Sequence, residues 1–353
     1  MPSVTAVIPA YNAEQFIERT LQSAVDQTYQ NLDIIVVNDG STDGTEEIVF
    51  RFAETHKNLR LISTPNAGVA AARNLGTRLA DTLYVAYLDA DDLWHPAKIA
   101  KQVAALAAHG HSEEWASCYV LSRMIDTDNL VMASAAASRS RGDFFDEHIS
   151  WNHIGNGSTL LVRREVALAV RGFNPEYLAN GIGGCEDFEF QLKLLRSHKM
   201  ELVREYLVGY RIHPRQMSCD LSRMGKSRLA VVENIIAESH LPADTGRRAL
   251  VRAQMASAHI FFSARDWPGF ARSSAASLSC SVTETVKELA KFFARESGYI
   301  VGFLTKRILG AGGDLPPPVP FAALDPAEGV AENDNIKGRQ LQLLLAVRSR
   351  PNP

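Results

Sequence analysis

Short apolar runs alternate with helix-length amphipathic segments over roughly the first 90 residues. Between the runs, apolar residues recur at helical spacing, as at Phe16, Leu21 and Val25. This alternation predicts an α/β fold in which helices cover a parallel sheet. The predicted strands are the β-branched apolar runs Val4 to Ile8, Leu32 to Val37, Leu59 to Ile62 and Tyr84 to Leu88.

The pattern changes in the rest of the chain. Between Trp115 and Arg211 shorter strand and helix patterns are mixed, and amphipathic helical patterns follow from Leu221 to Leu309. A proline-rich run then precedes an acidic, glycine-containing stretch, which is typical of a linker and a disordered tail. We therefore predict an α/β domain over residues 1–220, a helical domain over 221–310, and a linker with a flexible tail over 311–353.

Composition narrows the class of protein. With 353 residues, 46% of them hydrophobic, the chain can bury a sizeable core, and its formal net charge of -3 argues against nucleic acid as a partner. The cysteines are far apart, so a zinc cage and a redox pair are not indicated. A reduced, cytoplasmic chain is expected, since neither a leader pattern nor an apolar run of membrane-spanning length is present. The cysteines are Cys118, Cys185, Cys219 and Cys280.

Polar residues follow the predicted strands where these end. Ligands of open α/β sheets bind beyond the carboxyl ends of the strands, so these residues are candidates for a site. After the fourth strand, Asp89 and Asp91 stand one residue apart beside Asp92. Such carboxylates can share a magnesium or manganese ion and a ribose hydroxyl. The alternative is a solvated acidic turn that caps the next helix.

Two further segments belong to the same predicted edge. Asp39 ends the second strand, where its carboxylate can accept a hydrogen bond from a pyrimidine imide nitrogen or form an Asx-turn. Arg73, in a helix that opens after Asn66, is placed to meet a base or the carboxylate of Asp89, and a structural Arg–Asp pair is the alternative. Glycine-rich nicotinamide and P-loop patterns are absent from the sequence, so a metal ion is expected to handle phosphates.

The later part of the chain adds an acid pair and a histidine. Glu186 and Asp187 follow a glycine turn and open a predicted helix, where negative charge is also favourable by itself. His213 follows a predicted strand, and its imidazole is a candidate metal ligand or a structural side chain.

Taken together, these segments resemble the family-2 glycosyltransferases of GT-A fold. The resemblance covers roughly residues 1–220, and the segments occur in the family's order and spacing. Its two departures are Phe188, where the family often has tryptophan or another large residue, and Cys185 before the acid pair. The segments are Val7 to Asn12, Val37 to Asp43, Asn66 to Asn74, Leu88 to Asp92, Glu186-Asp187 and Arg211 to His213.

The resemblance implies a GT-A type, Rossmann-like sheet that binds a nucleotide-diphosphate sugar, with UDP-sugars favoured. It implies that Asp187 is the catalytic base, with Glu186 on the acceptor side. Asp91 and His213 would hold a divalent metal, Mn²⁺ or Mg²⁺, and residues 155–158 would line the donor sugar. The implied donor-binding residues are Pro9, Tyr11, Asn12, Asp39, Asn66, Arg73 and Asp89.

The expected activity is therefore inverting transfer of a sugar to a hydroxyl of a glycan, a lipid-linked glycan or another glycoconjugate. A nucleotidyltransferase is the first alternative, although it needs a glycine-rich loop where this chain has Pro9 to Asn12. A non-catalytic nucleotide-sugar-binding module is the second, although it has no need to keep Asp91 and Asp187.

The C-terminal third raises two further expectations. The apolar run Tyr299 to Leu304 precedes Lys306 and Arg307, a pattern that would suit weak peripheral association with the inner face of an anionic membrane. A helix packed in the core is the alternative. We also expect that the C-terminal helices are able to form a homo-oligomer.

Overall fold

A computed structural model describes residues 1–239, 241–290 and 319–330 of the chain. The described residues form two compact units. The first unit contains Met1–His148, Asn152–Cys219 and residues 319–330, and the second contains Ile149–Trp151 and the chain from Asp220 to residue 290. The second unit is thus inserted into the sequence of the first.

The first unit begins with the predicted alternation of strands and helices. Its strands β1 to β4 are parallel neighbours in the order β3-β2-β1-β4. The predicted strands are thereby found, each with bounds within two residues of the expected ones. The elements are β1 (Val4–Ala10), α1 (Ile17–Val25), β2 (Leu32–Asp39), α2 (Thr45–Thr55), β3 (Leu59–Thr64), α3 (Val69–Leu79) and β4 (Tyr84–Tyr87).

The rest of the first unit extends this sheet with strands of mixed direction. β8 joins the parallel part by pairing antiparallel to β4, and β6, β9 and β5 follow outward from it. The described residues contribute nine strands to the sheet. The elements are β5 (Leu93–Trp94), α4 (Lys98–Ala107), β6 (Trp115–Ile125), β7 (Val131–Ser134), α5 (Phe145–Ser150), β8 (Leu160–Arg163), α6 (Arg164–Ala169), α7 (Glu176–Ala179), α8 (Glu186–Leu195) and β9 (Lys199–Arg211).

The core of the first unit lies between the central strands and the helices that cover them. β1 is buried at every position, as expected for a central strand covered on both faces. Helix α3 approaches β1 closely at Gly76, where an added Cβ would lie 2.3 Å from Cγ1 of Val7. The absence of a side chain at this position therefore sets how closely α3 packs against the sheet.

The second unit is helical, as the sequence predicted for this region. Asp220 and Asp266 cap α9 and α11 by accepting hydrogen bonds from the backbone N–H groups of Arg223 and Gly269. Gly225 of α9 lies close to the ring of Phe261, with 2.7 Å between a Cβ built there and Cε1. The elements are α9 (Leu221–Glu238), α10 (Ala243–Ser263) and α11 (Trp267–Cys280), followed by helical residues 282–290.

Residues 319–330, which we name the C-terminal strap, differ from the flexible tail predicted over 311–353. The Phe321 side chain is 2% exposed and packs with Leu93 and Ile125. Pro320 forms an antiparallel bridge with Leu130, and the backbone N–H of Val131 donates to the carbonyl of Val319 at 3.0 Å. Proline and acidic residues made this stretch resemble a disordered tail, whereas one buried aromatic side chain and backbone pairing hold it on the sheet.

Some expectations fall on residues outside those that the structure describes. The apolar run Tyr299 to Leu304 lies there. Within the described ranges, no helix has the length and apolar character needed to cross a membrane.

The packing at Gly76 generates a test of stability. We expect Gly76→Ala to lower the free energy of unfolding by about 1–3 kcal/mol, because the buried Val7 side chain must move aside for the new methyl group. Gly246→Ala, in α10, is the matched control, since its nearest neighbour would be 3.5 Å away. The control should stabilise its helix by up to about 1 kcal/mol through higher helix propensity. Urea unfolding followed by circular dichroism measures both, and equal effects of the two substitutions would contradict the packing argument.

Candidate functional site

The acidic segment Asp89 to Asp92 leaves the sheet at the carboxyl end of β4. Asp92 is fully buried, and its Oδ2 accepts hydrogen bonds from Asn156 Nδ2 at 2.8 Å and Ser158 Oγ at 2.6 Å. Its Oδ1 accepts from the backbone N–H of Arg211 at 2.9 Å. Burial, and next the charges of Asp91 and Asp89, raise the pKa of Asp92 well above its usual range, although these hydrogen bonds favour its charged form. Asp92 thus joins three parts of the chain and faces no solvent.

Arg73 of α3 pairs with Asp89, one of the partners that the sequence analysis predicted for it. The guanidinium is 5% exposed, donates through Nη2 to Asp89 Oδ1, and lies 5.0 Å from the centre of the Phe173 ring. The backbone N–H of Asp89 donates to Ser158 Oγ at 3.0 Å. Burial by itself lowers the pKa of Arg73, but the carboxylates of Asp89 and then Asp187 outweigh it and raise the pKa. A permanently charged guanidinium therefore lies among the carboxylates at this edge of the sheet, which we name the acidic edge: Asp89, Glu186 and Asp187.

Asp91 and His213 come together from segments 122 residues apart. His213 Nε2 lies 2.9 Å from Asp91 Oδ2, and the imidazole packs against the Phe16 ring at 4.9 Å between centroids. The Asp91 side chain is 31% exposed and that of His213 10%. The Nδ1 atom of His213 is buried and has no protein hydrogen-bond partner among the described residues. A carboxylate oxygen and an imidazole nitrogen therefore meet at a partly open position.

Glu186 and Asp187 begin α8, as predicted. Glu186 is buried, and its Oε2 accepts a hydrogen bond from the backbone N–H of Gly184 at 2.8 Å. Asp187 keeps part of its surface exposed, and its Oδ1 accepts from the N–H of Phe188 at 2.7 Å. Desolvation by the surrounding protein raises the pKa of Asp187 to about 7, against the opposing effect of Arg73. A carboxyl group that titrates near neutral pH is suited to accepting a proton.

Asp39 at the end of β2 is held by the loop that precedes α3. Its carboxylate is 3% exposed and accepts hydrogen bonds from the backbone N–H groups of Ala67 and Gly68, each at 2.8 Å. Gly40, with a φ of 73°, lies so close to Asn66 that a Cβ would approach its backbone nitrogen to 2.7 Å. The Asp39 carboxylate therefore fixes the spacing between the loop after β2 and the loop before α3, which contains the predicted donor-binding residue Asn66.

The predicted residues at the end of β1 differ in their surroundings. Pro9 is buried inside the strand, whereas the Tyr11 side chain is 53% exposed. Asn12 has a φ of 49°; its Oδ1 accepts from the backbone N–H of Thr42 at 2.8 Å, and its own N–H donates to Ser41 Oγ at 3.0 Å. Asn12 thus joins the loop after β1 to the loop after β2, and the Tyr11 ring is left open to solvent.

The structure brings most of the predicted residues to one edge of the sheet, in two groups. Arg73, Asp89, Glu186 and Asp187 interact electrostatically, and Asp91 pairs with His213. Among the described residues, no set of three or more His, Cys, Asp and Glu side chains is arranged to hold a metal ion. A metal bound here would therefore need further ligands from a bound molecule or from water.

Several residues of this site were not singled out from the sequence. Asn156 and Ser158 were noted only within a segment expected to line the donor sugar, and Arg211 only as a neighbour of His213. The hydrogen bonds of Asp92 connect all three. A fully buried arginine next to the candidate histidine is a long-range property of the fold, so no local pattern reveals it.

The chain is similar to known glycosyltransferases. The model of the family "Glycosyl transferase family 2" matches residues 5–167. An uncharacterized glycosyltransferase of Haemophilus influenzae is 31% identical over 228 residues, which make up 62% of this chain and 68% of that protein. The chondroitin synthase of Pasteurella multocida is 28% identical over 233 residues, 66% of this chain but 23% of the synthase.

Solved structures share the fold at low sequence identity. S. aureus TarS 1–349 in complex with UDP-GlcNAc has a TM-score of 0.61 and 17% identity, covering 79% of this chain and 81% of that one. A mannosyltransferase from Pyrobaculum calidifontis, in complex with GDP-Man and Mn²⁺, has a TM-score of 0.55 and 22% identity, with coverage of 83% and 80%.

The prediction of the family is confirmed by these matches, and a glycosyltransferase rather than a nucleotidyltransferase or a binding module is indicated. The edge of the sheet carries the acid pair, the Arg73–Asp89 pair and the Asp91–His213 pair in one GT-A type α/β unit. The chain belongs to the family-2 glycosyltransferases.

Proposed function

We propose that this enzyme transfers a sugar from a nucleotide-diphosphate donor, with UDP-sugars favoured, to an acceptor hydroxyl with inversion at the anomeric carbon. The observation that carries the proposal is Asp187, a partly exposed carboxyl group whose pKa is raised to about 7 and which interacts with Arg73. General bases work best when their pKa lies near the working pH. Asp187 meets this requirement at neutral pH.

The loops after β1 and β2 are the proposed binding site of the donor base. Each Asp39 oxygen accepts one backbone hydrogen bond, and carboxylate oxygens have capacity for another, so an imide N–H can still be accepted. The exposed Tyr11 ring offers a face on which a base can stack. The TarS complexes with UDP and UDP-GlcNAc support a uridine donor by analogy, and the mannosyltransferase complex with GDP-Man supports the donor class more generally.

Asp91 and His213 are the residues that would hold a divalent cation, Mn²⁺ or Mg²⁺. The carboxylate oxygen suits either ion, and the imidazole nitrogen suits Mn²⁺. The buried Nδ1 of His213 has no hydrogen-bond partner among the described residues. Two protein ligands would leave coordination positions for diphosphate oxygens and water. When bound, such an ion stabilises the negative charge that develops on the leaving diphosphate.

The side chains of this chain carry the rest of the reaction. Asp187 accepts the proton of the acceptor hydroxyl while that oxygen attacks the anomeric carbon on the face opposite the leaving group. Arg73 offsets part of the repulsion among the nearby carboxylates, and its charge favours the deprotonated form of Asp187. Glu186, bound to the backbone of Gly184, shapes the acceptor side.

The acceptor class is proposed from the relatives. Chondroitin synthase and a putative teichuronic acid biosynthesis glycosyltransferase are among them, which favours a glycan or lipid-linked acceptor over a protein or small metabolite. Residues 155–158 are proposed to line the donor sugar, since Asn156 and Ser158 are fixed to Asp92 beside the acidic segment. A homo-oligomer formed through the C-terminal helices also stays a proposal, as does a cytoplasmic location.

The proposed metal site predicts cation-dependent turnover. Donor hydrolysis in Mn²⁺ should stop in excess EDTA, and Asp91→Asn should lower it about 100-fold or more, since the ion supplies several kcal/mol of charge stabilisation. Asp33→Asn is the matched control, because Asp33 is exposed at the opposite end of β2 and the charge change is the same. Released nucleoside diphosphate measures both rates. Full turnover in EDTA would contradict the metal site.

The proposed base predicts a separation of binding from transfer. Asp187→Asn should retain the donor affinity measured by calorimetry but lose about 100-fold to 10,000-fold of the transfer rate, the usual contribution of a general base. In the unchanged enzyme, the transfer rate should rise as pH increases through about 7, because only the deprotonated carboxylate accepts a proton. The variant should lack this rise.

Glu189→Gln is the control for the base. Glu189 lies two residues further along α8, is 1% exposed, and pairs with Lys193, so its substitution removes an acid of the same helix without touching the site. It should keep both the transfer rate and the pH profile. A loss of donor affinity in Asp187→Asn that equals its loss of activity would assign Asp187 to donor binding instead.

Peripheral membrane association stays a prediction from the sequence. Its residues, Tyr299 to Leu304 with Lys306 and Arg307, lie outside the described ranges. We expect the full chain to sediment with anionic vesicles at low salt, and to be released as salt screens the basic residues. Neutral vesicles are the control. If the chain remains in the supernatant with anionic vesicles at low salt, the association is absent.

A further inference from the structure

The C-terminal strap is anchored on the outer part of the sheet. The Phe321 ring fills a position beside Leu93 of β5 and Ile125 of β6, and Gly209 of β9 leaves space for it, since a Cβ there would lie 3.2 Å from the ring. Further along, Arg123 Nη2 donates to the carbonyl oxygens of Asp325 at 3.0 Å and Glu328 at 2.9 Å. The strap is therefore held at both of its ends.

At its N-terminal end, the strap also binds the turn formed by residues 126–131. The backbone N–H of Phe321 donates to the carbonyl of Asn129 at 3.0 Å, and the N–H of Val131 donates to the carbonyl of Val319 at 3.0 Å. Asn129 has a φ of 68°, and Asp126 Oδ1 accepts the N–H of Leu130 at 2.9 Å. The turn is thus braced from within by Asp126 and from outside by the strap.

The same turn receives the guanidinium of Arg211. This side chain is fully buried, with Nη1 donating to the carbonyl of Asp126 at 2.6 Å and Nη2 to Asn129 Oδ1 at 2.7 Å. Its Nε donates to the carbonyl of Asp91 at 2.6 Å. A planar guanidinium fixes its partners in one geometry. Arg211 therefore connects the turn to the backbone of the residue whose carboxylate meets His213.

We propose that the C-terminal strap positions the metal-binding carboxylate of Asp91, through the 126–131 turn and Arg211. Asn129 and Arg211 are positioning residues in this arrangement, because they act through the backbone of Asp91. The inference rests on the proposed function, since Asp91 and His213 are the proposed metal ligands. Partners that orient a metal ligand commonly change metal affinity by about 10-fold to 100-fold when removed.

Asn129→Gly is the sharpest test of this connection. Glycine adopts the positive φ of this position without strain and keeps the carbonyl that accepts from Phe321, so the substitution removes the Oδ1 contact with Arg211. Binding of Mn²⁺ in the presence of UDP is measured from the electron paramagnetic resonance signal of free Mn²⁺. We expect about 10-fold weaker binding, and unchanged binding for Asn129→Asp, which keeps an Oδ1 acceptor and tolerates this φ.

Phe321→Ala tests the strap itself, and Leu106→Ala controls for general loss of stability. Leu106 is a fully buried residue of α4, so its truncation leaves a cavity without touching the turn or the strap. Phe321→Ala should weaken Mn²⁺ binding as Asn129→Gly does, whereas Leu106→Ala should lower the melting temperature and keep the affinity for Mn²⁺. Equal affinity in all three variants would overturn the proposal.

Hydrogen–deuterium exchange separates this proposal from the proposed metal site. Asn129→Gly should speed exchange in peptides covering residues 88–94 as well as 126–131, because Arg211 loses its fixed position, while Leu106→Ala should leave both peptides as in the unchanged protein. If the unchanged enzyme binds no Mn²⁺ but residues 88–94 exchange faster in Asn129→Gly, the metal site fails and the positioning stands. Unchanged exchange over 88–94 would overturn the positioning in either case.

Discussion

The candidate site depends on one buried positive charge. Asp89, Glu186 and Asp187 come from two distant segments, and all three carboxyl groups act on the guanidinium of Arg73. Like charges this close destabilise one another unless a cation lies among them. Arg73 lies on α3, whose close approach to β1 at Gly76 keeps the helix tight against the sheet. A packing detail in the core thus sets the place of the charge on which the acidic edge is built.

The carboxyl groups of the site have different properties because their surroundings differ. Asp92 is buried among neutral hydrogen-bond donors and serves the structure, Asp89 pairs with Arg73, and Asp187 retains exposure and a pKa of about 7. The three differ in surroundings rather than in chemistry. Division of roles among acidic residues of one site is therefore a property of the fold, which places each carboxyl group in its own environment.

Local patterns allowed much of the fold and part of the site to be predicted. The four parallel strands could be predicted because each is a short β-branched run. The acidic residues that follow them could be predicted as site residues because α/β sheets bind ligands at the ends of their strands. The hydrogen bonds of Asp92 and Arg211 were not, since they join residues 64 to 120 positions apart. The strap was not predicted for a related reason. Its composition suggests disorder, whereas burial of the single side chain Phe321 anchors it on the sheet.

The order of the units along the chain has a consequence for synthesis. The strap belongs to the first unit, yet it follows the whole of the second unit in the sequence. Domains tend to fold as they emerge from the ribosome, beginning at the N-terminus. The sheet of this protein can form early, but the C-terminal strap that packs on it is synthesised only after the helices of the second unit. A nascent chain released before residue 319 would therefore carry the acids of the site without the contact that braces the turn beside them.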